Sequence, residues 1–283
     1  MVGRRSGAEV ERYRRDGVCF PIDVLTRDEA EACRQRFDVL EAREGGRLSP
    51  SVNHKIHLLV PWLYDLVCDA RILDAVEGVI GPDILCWGSS FFAKHVGDPS
   101  YVSWHQDATY WGLSSHDVVT AWVAFSPSTP ENGCMRVVPG THERQLSHHD
   151  TFAEGNLLSR GQEIEVEVEE ADALDVSLQP GQMSLHHVLI VHGSNRNLAD
   201  YPRIGYAIRY IPTHLRQLSP IRDSATLVRG TDRYGHFDHE QPPEGEFHPA
   251  AVERHAAVRE RQAQILYAGA AKKGMGGENA AAM

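Results

Sequence analysis

The sequence predicts a single domain of mainly β structure with flanking helices. Between residues 84 and 211, short apolar segments alternate with glycine- and proline-rich turns, which is typical of a β-sandwich or β-barrel. On either side of this core, apolar residues recur every three or four positions, as in helices. We therefore expect N-terminal helices over about 7–80, a β core over about 84–211 and an irregular and helical C-terminal segment over 212–283.

The N-terminal part contains the clearest helix signals. Residues 7–16 are predicted to form a short helix, and residues 18–22 a brief strand. Thr26 is a predicted N-cap followed by acidic residues in the first turn of a helix that extends to about residue 42. A second helical region is predicted over 61–78.

Six strands are predicted in the β core. They are 84–94, 118–125, 134–138, 163–168, 182–191 and 203–211. The alternation of apolar and acidic residues over 163–170 predicts a solvated edge strand. Residues 222–250 have an irregular composition, and 249–268 return to a helical pattern.

Composition and charge exclude several classes of protein. The 283 residues are 42% hydrophobic, as in a globular domain, and the formal net charge of −11 argues against a nucleic-acid partner. Five scattered cysteines without a C-x-x-C pair predict no disulfide framework and a cytoplasmic location. No apolar run follows the basic N-terminus, and none approaches 18 residues, so we expect neither a signal peptide nor a membrane span.

One short motif and one distant histidine form a predicted metal site. His105 and Asp107 are an H-x-D pair, and His192 lies far downstream before Gly193. Alternate residues of a strand face the same side, so we expect His105 and Asp107 to point inward together from one strand. Two histidines and one carboxylate form the facial triad of non-heme Fe(II) oxygenases, which leaves coordination positions open.

Other histidines compete for the third position, because the chain has sixteen. His186 and His187 fall in the predicted strand 182–191, which His192 directly follows. Unbroken alternation would put His186 on the same face as His192. We interpret both His186 and His187 as strand or pocket-wall residues.

An arginine follows the distal histidine at a spacing that suits a cosubstrate. Arg203 begins a predicted strand, and a buried guanidinium can bind a carboxylate through two hydrogen bonds. The dicarboxylate 2-oxoglutarate would chelate iron through its keto-acid end and place its far carboxylate on Arg203. Arg209 shares the strand parity of Arg203 and is the second choice, but we interpret it as a member of a surface or barrel-mouth ion pair.

Several segments agree in order and approximate spacing with one oxygenase family. They are His105-Gln106-Asp107, Ala121-Trp122-Val123-Ala124, the turn from Glu131-Asn132-Gly133-Cys134 to Pro139-Gly140-Thr141-His142, His192-Gly193-Ser194 and Arg203. Over residues 9–215 the chain resembles the phytanoyl-CoA dioxygenase (PhyH-like) family of Fe(II)/2-oxoglutarate oxygenases. The resemblance implies a double-stranded β-helix, the jelly-roll core of cupin-like proteins, with helices against one sheet.

The resemblance also implies the cofactors and further site residues. Fe(II), the cosubstrate 2-oxoglutarate and O₂ are expected, with supporting 2-oxoglutarate contacts from Gln106, Trp122 and Ser194. Lys94, in the strand before the triad, is a further pocket candidate.

The predicted activity is hydroxylation of an unactivated C–H bond in a small metabolite or natural-product intermediate, with release of succinate and CO₂. Asp107 favours hydroxylation over chlorination, because related halogenases have a small residue in its place. A non-oxygenase cupin-type metal protein, such as an isomerase or binding module, is the alternative, but it would not need Arg203. A zinc hydrolase also uses three N/O ligands, and the motif spacing fits it less well.

Seven aromatic residues are candidates for the pocket wall, although at least half are expected in the core. They are Trp87, Phe91, Phe92, Tyr101, Tyr110, Trp111 and Tyr206.

Overall fold

Two main sheets form the centre of the protein in a computed structural model that describes residues 7–158, 160–165 and 167–268. The strands are β1 (Val18–Asp23), β2 (Ile84–Lys94), β3 (Val102–His105), β4 (Val119–Ala124), β5 (Met135–Val138), β6 (His148–Asp150), β7 (Gln162–Ile164), β8 (Leu174–Val176), β9 (Gln182–His187), β10 (Val191–Ser194), β11 (Arg203–Pro212), β12 (Ser224–Arg229) and β13 (Asp238–His239). The large sheet has the order β1-β9-β4-β11-β2-β12-β13, and the small sheet has the order β3-β10-β5-β8. The predicted mainly β fold with a jelly-roll core is confirmed.

Six α-helices of the described residues flank the strands. They are α1 (Gly7–Asp16), α2 (Arg27–Arg43), α3 (Pro50–Asn53), α4 (Pro61–Val67), α5 (Ala70–Ile80) and α6 (Pro249–Leu266). The predicted start of α2 is confirmed, because Thr26 and Glu29 form a reciprocal capping box. The region predicted to be helical over 61–78 is helical, but it is divided into α4 and α5. Asp69 accepts a hydrogen bond from the Arg71 N–H and caps a separate helix there.

The two faces of β11 have different environments. Ile204, Tyr206, Ile208 and Tyr210 are buried in the main hydrophobic core with residues of α2, α4 and α5. The alternate residues, which include Arg203, face the opposite side of the sheet. The large sheet therefore supports the N-terminal helices on one face and is free to carry polar groups on the other.

The single strand predicted over 182–191 is wrong. β9 ends at His187 in the large sheet, and β10 begins at Val191 in the small sheet. The Ile190 N–H donates to the carbonyl of His187 and closes a turn between them. The apolar residues 188–190 are buried in this turn, so the apolar pattern continues through the break.

Two other regions differ from expectation. Among the described residues of the predicted strand 163–168, only 163 and 164 belong to a strand, β7, which pairs with β6 in a separate two-stranded sheet. The supposedly irregular residues 222–250 contain β12 and β13, and β12 extends the large sheet beside β2. Residues 1–6 and 269–283, assigned to the same domain by the sequence, lie outside the described residues. Within the described part, no helix is long and apolar enough to cross a membrane.

Gly205 allows the indole of Trp122 to lie against the backbone of β11. A Cβ at position 205 would lie 1.8 Å from the indole. Overpacking typically costs roughly 1–3 kcal/mol, so we expect Gly205→Ala to lower the free energy of unfolding in urea by about that amount. Gly88→Ala in the adjacent strand is the control, because its Cβ would meet no atom closer than 3.7 Å. Equal stability of the two variants would contradict the prediction.

Candidate functional site

Three side chains meet where β3 and β10 pair. His105 lies opposite His192 in the antiparallel register of these strands. The Oδ1 atom of Asp107 lies 3.2 Å from Nε2 of His105 and 4.0 Å from Nε2 of His192. One ligand atom from each residue lies within 4.8 Å of the other two. This geometry fits a single metal ion bound by two imidazoles and one carboxylate.

Backbone carbonyls orient both imidazole rings. Nδ1 of His105 lies 2.9 Å from the carbonyl oxygen of Ser103, and Nδ1 of His192 lies 3.0 Å from that of Ile190. A proton on each Nδ1 would be donated to these carbonyls, which leaves the lone pair on Nε2. Such outer hydrogen bonds fix the tautomer of metal-binding histidines. Both Nε2 atoms are therefore available to one ion.

The protonation states of the triad suit a metal. Burial, followed by the neighbouring His105, lowers the pKa of His192 to about 3, so its ring is neutral near pH 7. Burial alone would raise the pKa of Asp107, but the neighbouring imidazoles of His105 and His192 lower it overall. Neutral imidazole and ionised carboxylate are the forms that bind metals.

The expectation that His105 and Asp107 lie on one strand is wrong. β3 ends at His105, and Asp107 begins a 3₁₀ helix that spans Asp107–Tyr110. The N–H groups of Asp107 and Ala108 both donate to the carbonyl of Val188, in the turn after β9. This contact turns the chain away from the strand and still directs the carboxylate toward the two histidines.

The other candidate histidines do not join the triad. His186 lies in the large sheet, and its ring centroid is 5.2 Å from that of His192. Burial lowers the pKa of His186 to about 4, so it is also neutral. His187 faces the other way and packs near Tyr13 and His142. His186 is thus a wall residue beside the triad.

A cavity between the sheets, here called cavity I, contains the triad. Both sheets line it. Its residues are Phe92, Val102, His105, Asp107, Thr120, Trp122, Met135, His186, His192, Gly193, Ser194, Arg203, Ala207 and Arg209. The small sheet therefore supplies the two histidines, and the large sheet supplies the facing basic and aromatic groups.

Two buried basic side chains lie at the Arg203 end of cavity I. Arg203 and Lys94 are partners in the β11–β2 register. Neither has a carboxylate within 4.0 Å in the described parts of the chain. Nε of Arg203 is buried without a hydrogen-bond acceptor, while its Nη1 donates to the carbonyl of Gly133. Nζ of Lys94 donates to Ser194 Oγ at 2.6 Å and to the Asn195 carbonyl.

This environment favours an anionic ligand. Burial lowers the pKa of Arg203 to about 10, and burial followed by the charge of Arg203 lowers that of Lys94 to about 5. Buried charges are normally paired with an opposite charge. A carboxylate beside Arg203 would compensate its charge and accept the free Nε–H.

The three supporting residues named from the resemblance have different placements. Ser194 and Trp122 both line cavity I, and the Arg203 guanidinium carbon lies 5.5 Å from the Trp122 ring centroid. Gln106 does not line it. The Gln106 amide instead hydrogen-bonds to the backbone of Arg144, Leu146 and Leu189. These contacts brace the loop beside the triad.

Sequence reasoning missed Thr120, which lines cavity I with a buried hydroxyl that has no hydrogen-bond partner in the described residues. Thr120 stands two positions before Trp122 in β4. The two-residue alternation of strands could have identified it, because both side chains face the same side.

A second cavity, cavity II, adjoins the triad and shares Phe92, Asp107 and Arg209 with cavity I. Of the seven aromatic candidates, four line cavity II: Trp87, Phe92, Tyr110 and Trp111. Phe91 and Tyr206 belong to the hydrophobic core instead. The space inside cavity II, counted with the open solvent at its mouth, is about 640 Å³.

The interpretation of Arg209 as a surface ion pair is wrong. Arg209 is buried, and its Nη1 donates to Ser90 Oγ at 2.8 Å. No carboxylate lies within ion-pair distance of it in the described parts of the chain. Its position on the inward face of β11 explains the burial, because the neighbouring strands β2 and β4 cover both edges.

Comparisons with known proteins agree with this geometry. The family model described as phytanoyl-CoA dioxygenase (PhyH) matches residues 13–205. Ectoine dioxygenase from Sphingopyxis alaskensis is 26% identical over 230 residues, which cover 72% of this chain and 75% of that protein. A phytanoyl-CoA dioxygenase domain-containing protein 1 homolog from Caenorhabditis briggsae is 26% identical over 165 residues, 56% of this chain. The match spans only 57% of that relative's length.

Solved structures share the fold over nearly the whole chain. The apo form of the non-heme monooxygenase ThoJ is 36% identical, with a TM-score of 0.81, and the match covers 92% of this chain and 97% of ThoJ. CytC3 with Fe(II) and alpha-ketoglutarate is 24% identical, with a TM-score of 0.64 and coverage of 86% and 95%. At that identity, CytC3 supports the fold alone.

The triad predicts metal-dependent stabilisation. A ligand that binds only the folded state raises its stability by mass action, so we expect Ni(II) to raise the melting temperature of the metal-free protein. His192→Ala should abolish this shift, because it removes one of three ligands. His186→Gln is the matched control: this buried histidine is close to His192 but outside the ligand group. Loss of the shift in His186→Gln, or its persistence in His192→Ala, would contradict the assignment.

Proposed function

We propose, from the premise that this chain belongs to the phytanoyl-CoA dioxygenase family, that it hydroxylates an unactivated C–H bond of a small molecule. The chain is an Fe(II)- and 2-oxoglutarate-dependent dioxygenase. We further propose that His105, Asp107 and His192 hold the iron. The description of ThoJ as a non-heme monooxygenase, at 36% identity, supports insertion of one oxygen atom.

The observation that carries the proposal is the pairing of the triad with an uncompensated guanidinium in one cavity. Asp107 and the two histidines lie on one wall of cavity I, and Arg203 lies on the other with a free Nε–H. A non-oxygenase metal site would have no use for this second group. A dicarboxylate that reaches from the metal to Arg203 would bind both the triad's metal ion and the guanidinium.

The chain's own residues bind and orient the reactants. Fe(II), with 2-oxoglutarate and O₂, supplies the oxidant for C–H hydroxylation and converts 2-oxoglutarate to succinate and CO₂. In the proposal, Arg203 and Ser194 hold the far carboxylate of 2-oxoglutarate, and Lys94 positions the Ser194 hydroxyl through its 2.6 Å hydrogen bond. The Trp122 ring covers this end of the cavity and limits the access of water.

Asp107 supports hydroxylation over halide transfer. Its carboxylate faces both histidines and would occupy the coordination position that a halide needs. The outcome at the substrate carbon then depends on which C–H bond cavity II presents to the metal. Asp107 lines that cavity as well, so a molecule in cavity II lies next to the triad.

Arg203→Ala should weaken the binding of 2-oxoglutarate without affecting the binding of the metal. Loss of a charge-assisted bidentate contact is expected to raise the Kd for 2-oxoglutarate by roughly tenfold or more. The measurement is an anaerobic titration of the Fe(II) protein, followed by the visible absorbance band of iron-bound keto acid. Arg136→Ala is the control, because Arg136 is already paired with Glu170 and Asp175 outside the cavity. An unchanged Kd in Arg203→Ala would rule out this role.

Asp107→Ala should stop oxidative turnover. The variant keeps both histidines but loses the anionic ligand, so we expect succinate release from 2-oxoglutarate to fall by more than roughly 100-fold, beyond the loss typical of outer-shell changes. The reaction is run in air, and the succinate that it releases is quantified by mass spectrometry. Asp117→Ala is a suitable control, since Asp117 is exposed and interacts with Ser115 and His214 rather than with the triad. Full turnover by Asp107→Ala would exclude the proposed triad.

A further inference from the structure

Arg209 is a buried cation with unused hydrogen-bond donors. A guanidinium has five N–H donors, and Arg209 donates to Ser90 Oγ as its one hydrogen-bond partner among the described residues. The carboxylate that interacts electrostatically with Arg209 is that of Asp107, which the proposed function assigns to the metal. Arg209 therefore needs an anionic partner that the described protein does not supply.

Arg209 is too far along β11 to share one carboxylate with Arg203. Both lie on the same face of the strand, six positions apart. With a rise of about 3.4 Å per residue, their Cα atoms are roughly 20 Å apart. Arg203 lines cavity I but not cavity II, whereas Arg209 lines both cavities. An anion on Arg209 is thus separate from the far carboxylate of 2-oxoglutarate on Arg203.

When Fe(II) and 2-oxoglutarate are bound, the formal charges of the site leave the positive charge of Arg209 uncompensated. Fe(II), the Asp107 carboxylate and dianionic 2-oxoglutarate together carry one negative charge, which Arg203 neutralises. The second guanidinium of cavity II, Arg160, is already paired with Asp150. The positive charge of Arg209 therefore favours an anionic molecule in cavity II.

Aromatic side chains surround this charge. The guanidinium carbon of Arg209 lies 5.7 Å from the ring centroid of Phe92 and 5.9 Å from that of Trp111. Trp111 and Trp87 have centroids 4.9 Å apart. Tyr110 lies under Arg160 and donates its hydroxyl to Asp150. Such walls suit a planar or aromatic ligand, with Arg209 at the end nearest the metal.

We propose that cavity II binds an aromatic carboxylate as substrate and that Arg209 holds its carboxylate beside the metal. This inference rests on the proposed function, because it places the oxidised carbon of that molecule next to the triad. Arg209 is then a specificity-determining residue: it selects an acid over the corresponding neutral amide.

The test compares two probes of similar shape and different charge, 3-phenylpropanoate and 3-phenylpropanamide. Each is titrated into the full-length Ni(II) protein saturated with 2-oxoglutarate, and binding is measured by ligand-observed NMR. We expect the wild type to bind the acid roughly tenfold more tightly than the amide. Arg209→Gln should remove this preference, and Arg209→Lys should retain part of it. Arg136→Gln, whose guanidinium is paired with Glu170 and Asp175 outside both cavities, should keep it.

The 2-oxoglutarate affinity of each variant is measured in parallel and separates the possible outcomes. An unchanged Kd for 2-oxoglutarate in Arg209→Gln, with loss of the acid preference, supports the inference. Equal or undetectable binding of both probes by the wild type overturns it. A loss of 2-oxoglutarate affinity equal to that of Arg203→Ala also overturns it, because Arg209 would then serve the keto-acid end. Failure of the wild type to bind 2-oxoglutarate would instead reject the proposed function.

Discussion

The cross-strand pairing of His105 with His192 is the constraint on which the site depends. Antiparallel pairing brings opposite side chains within about 4.5–5.5 Å at Cβ, and the two ring centroids are 4.1 Å apart. Each ring is held by the carbonyl two residues before it, so both Nε2 atoms point to one place. A one-residue slip between β3 and β10 would turn one ring to the opposite face of the sheet. The pairing of β10 with β5 on its other edge opposes such a slip.

The two sheets supply different chemical groups to the site. The small sheet provides neutral imidazoles, which suit a metal, and the inward face of the large sheet provides Arg203, Arg209 and Lys94, which suit anions. Because the guanidinium groups of Arg203 and Arg209 lie across from the triad, anionic ligands would bridge the sheets. The Cα spacing along β11 offers two separate anchor points. This arrangement can hold two acids at once, one for each cavity.

The sequence predicted the parts of the fold and site that depend on local patterns. The Thr26–Glu29 capping box and the strand that carries Arg203 follow from spacings of a few residues. The approach of His192 to the H-x-D pair joins residues 85 positions apart, and the residue types of a facial triad predicted it. The break at residues 188–190 could not be predicted, because a buried turn is as apolar as a buried strand. The burial of Arg209 depends on β2 and β4 on either side, and no local pattern reports such a contact.

We infer that the chain is one domain, because a buried ion pair joins segments from both ends to the β core. Nζ of Lys55 lies 2.6 Å from Oε1 of Glu240 and donates to the carbonyl of Ser224 at 2.8 Å. Glu240 also accepts hydrogen bonds from Ser224 and Thr226 of β12. Burial raises the pKa of Glu240, but Lys55 and His57 lower it overall, so the carboxylate stays charged.

This network reaches the wall of cavity II. Nδ1 of His57 lies 2.6 Å from Oγ of Ser89, which lines the cavity, and Tyr206 donates its hydroxyl to the same oxygen. Removal of one partner from a buried ion pair costs about 3–5 kcal/mol, because the other charge remains buried. The segments around Lys55 and Glu240 therefore cannot separate from the core without loss of order at Ser89. Through His57 and Ser89, the packing of the segments around Lys55, β12 and Glu240 thus stabilises this part of the cavity wall.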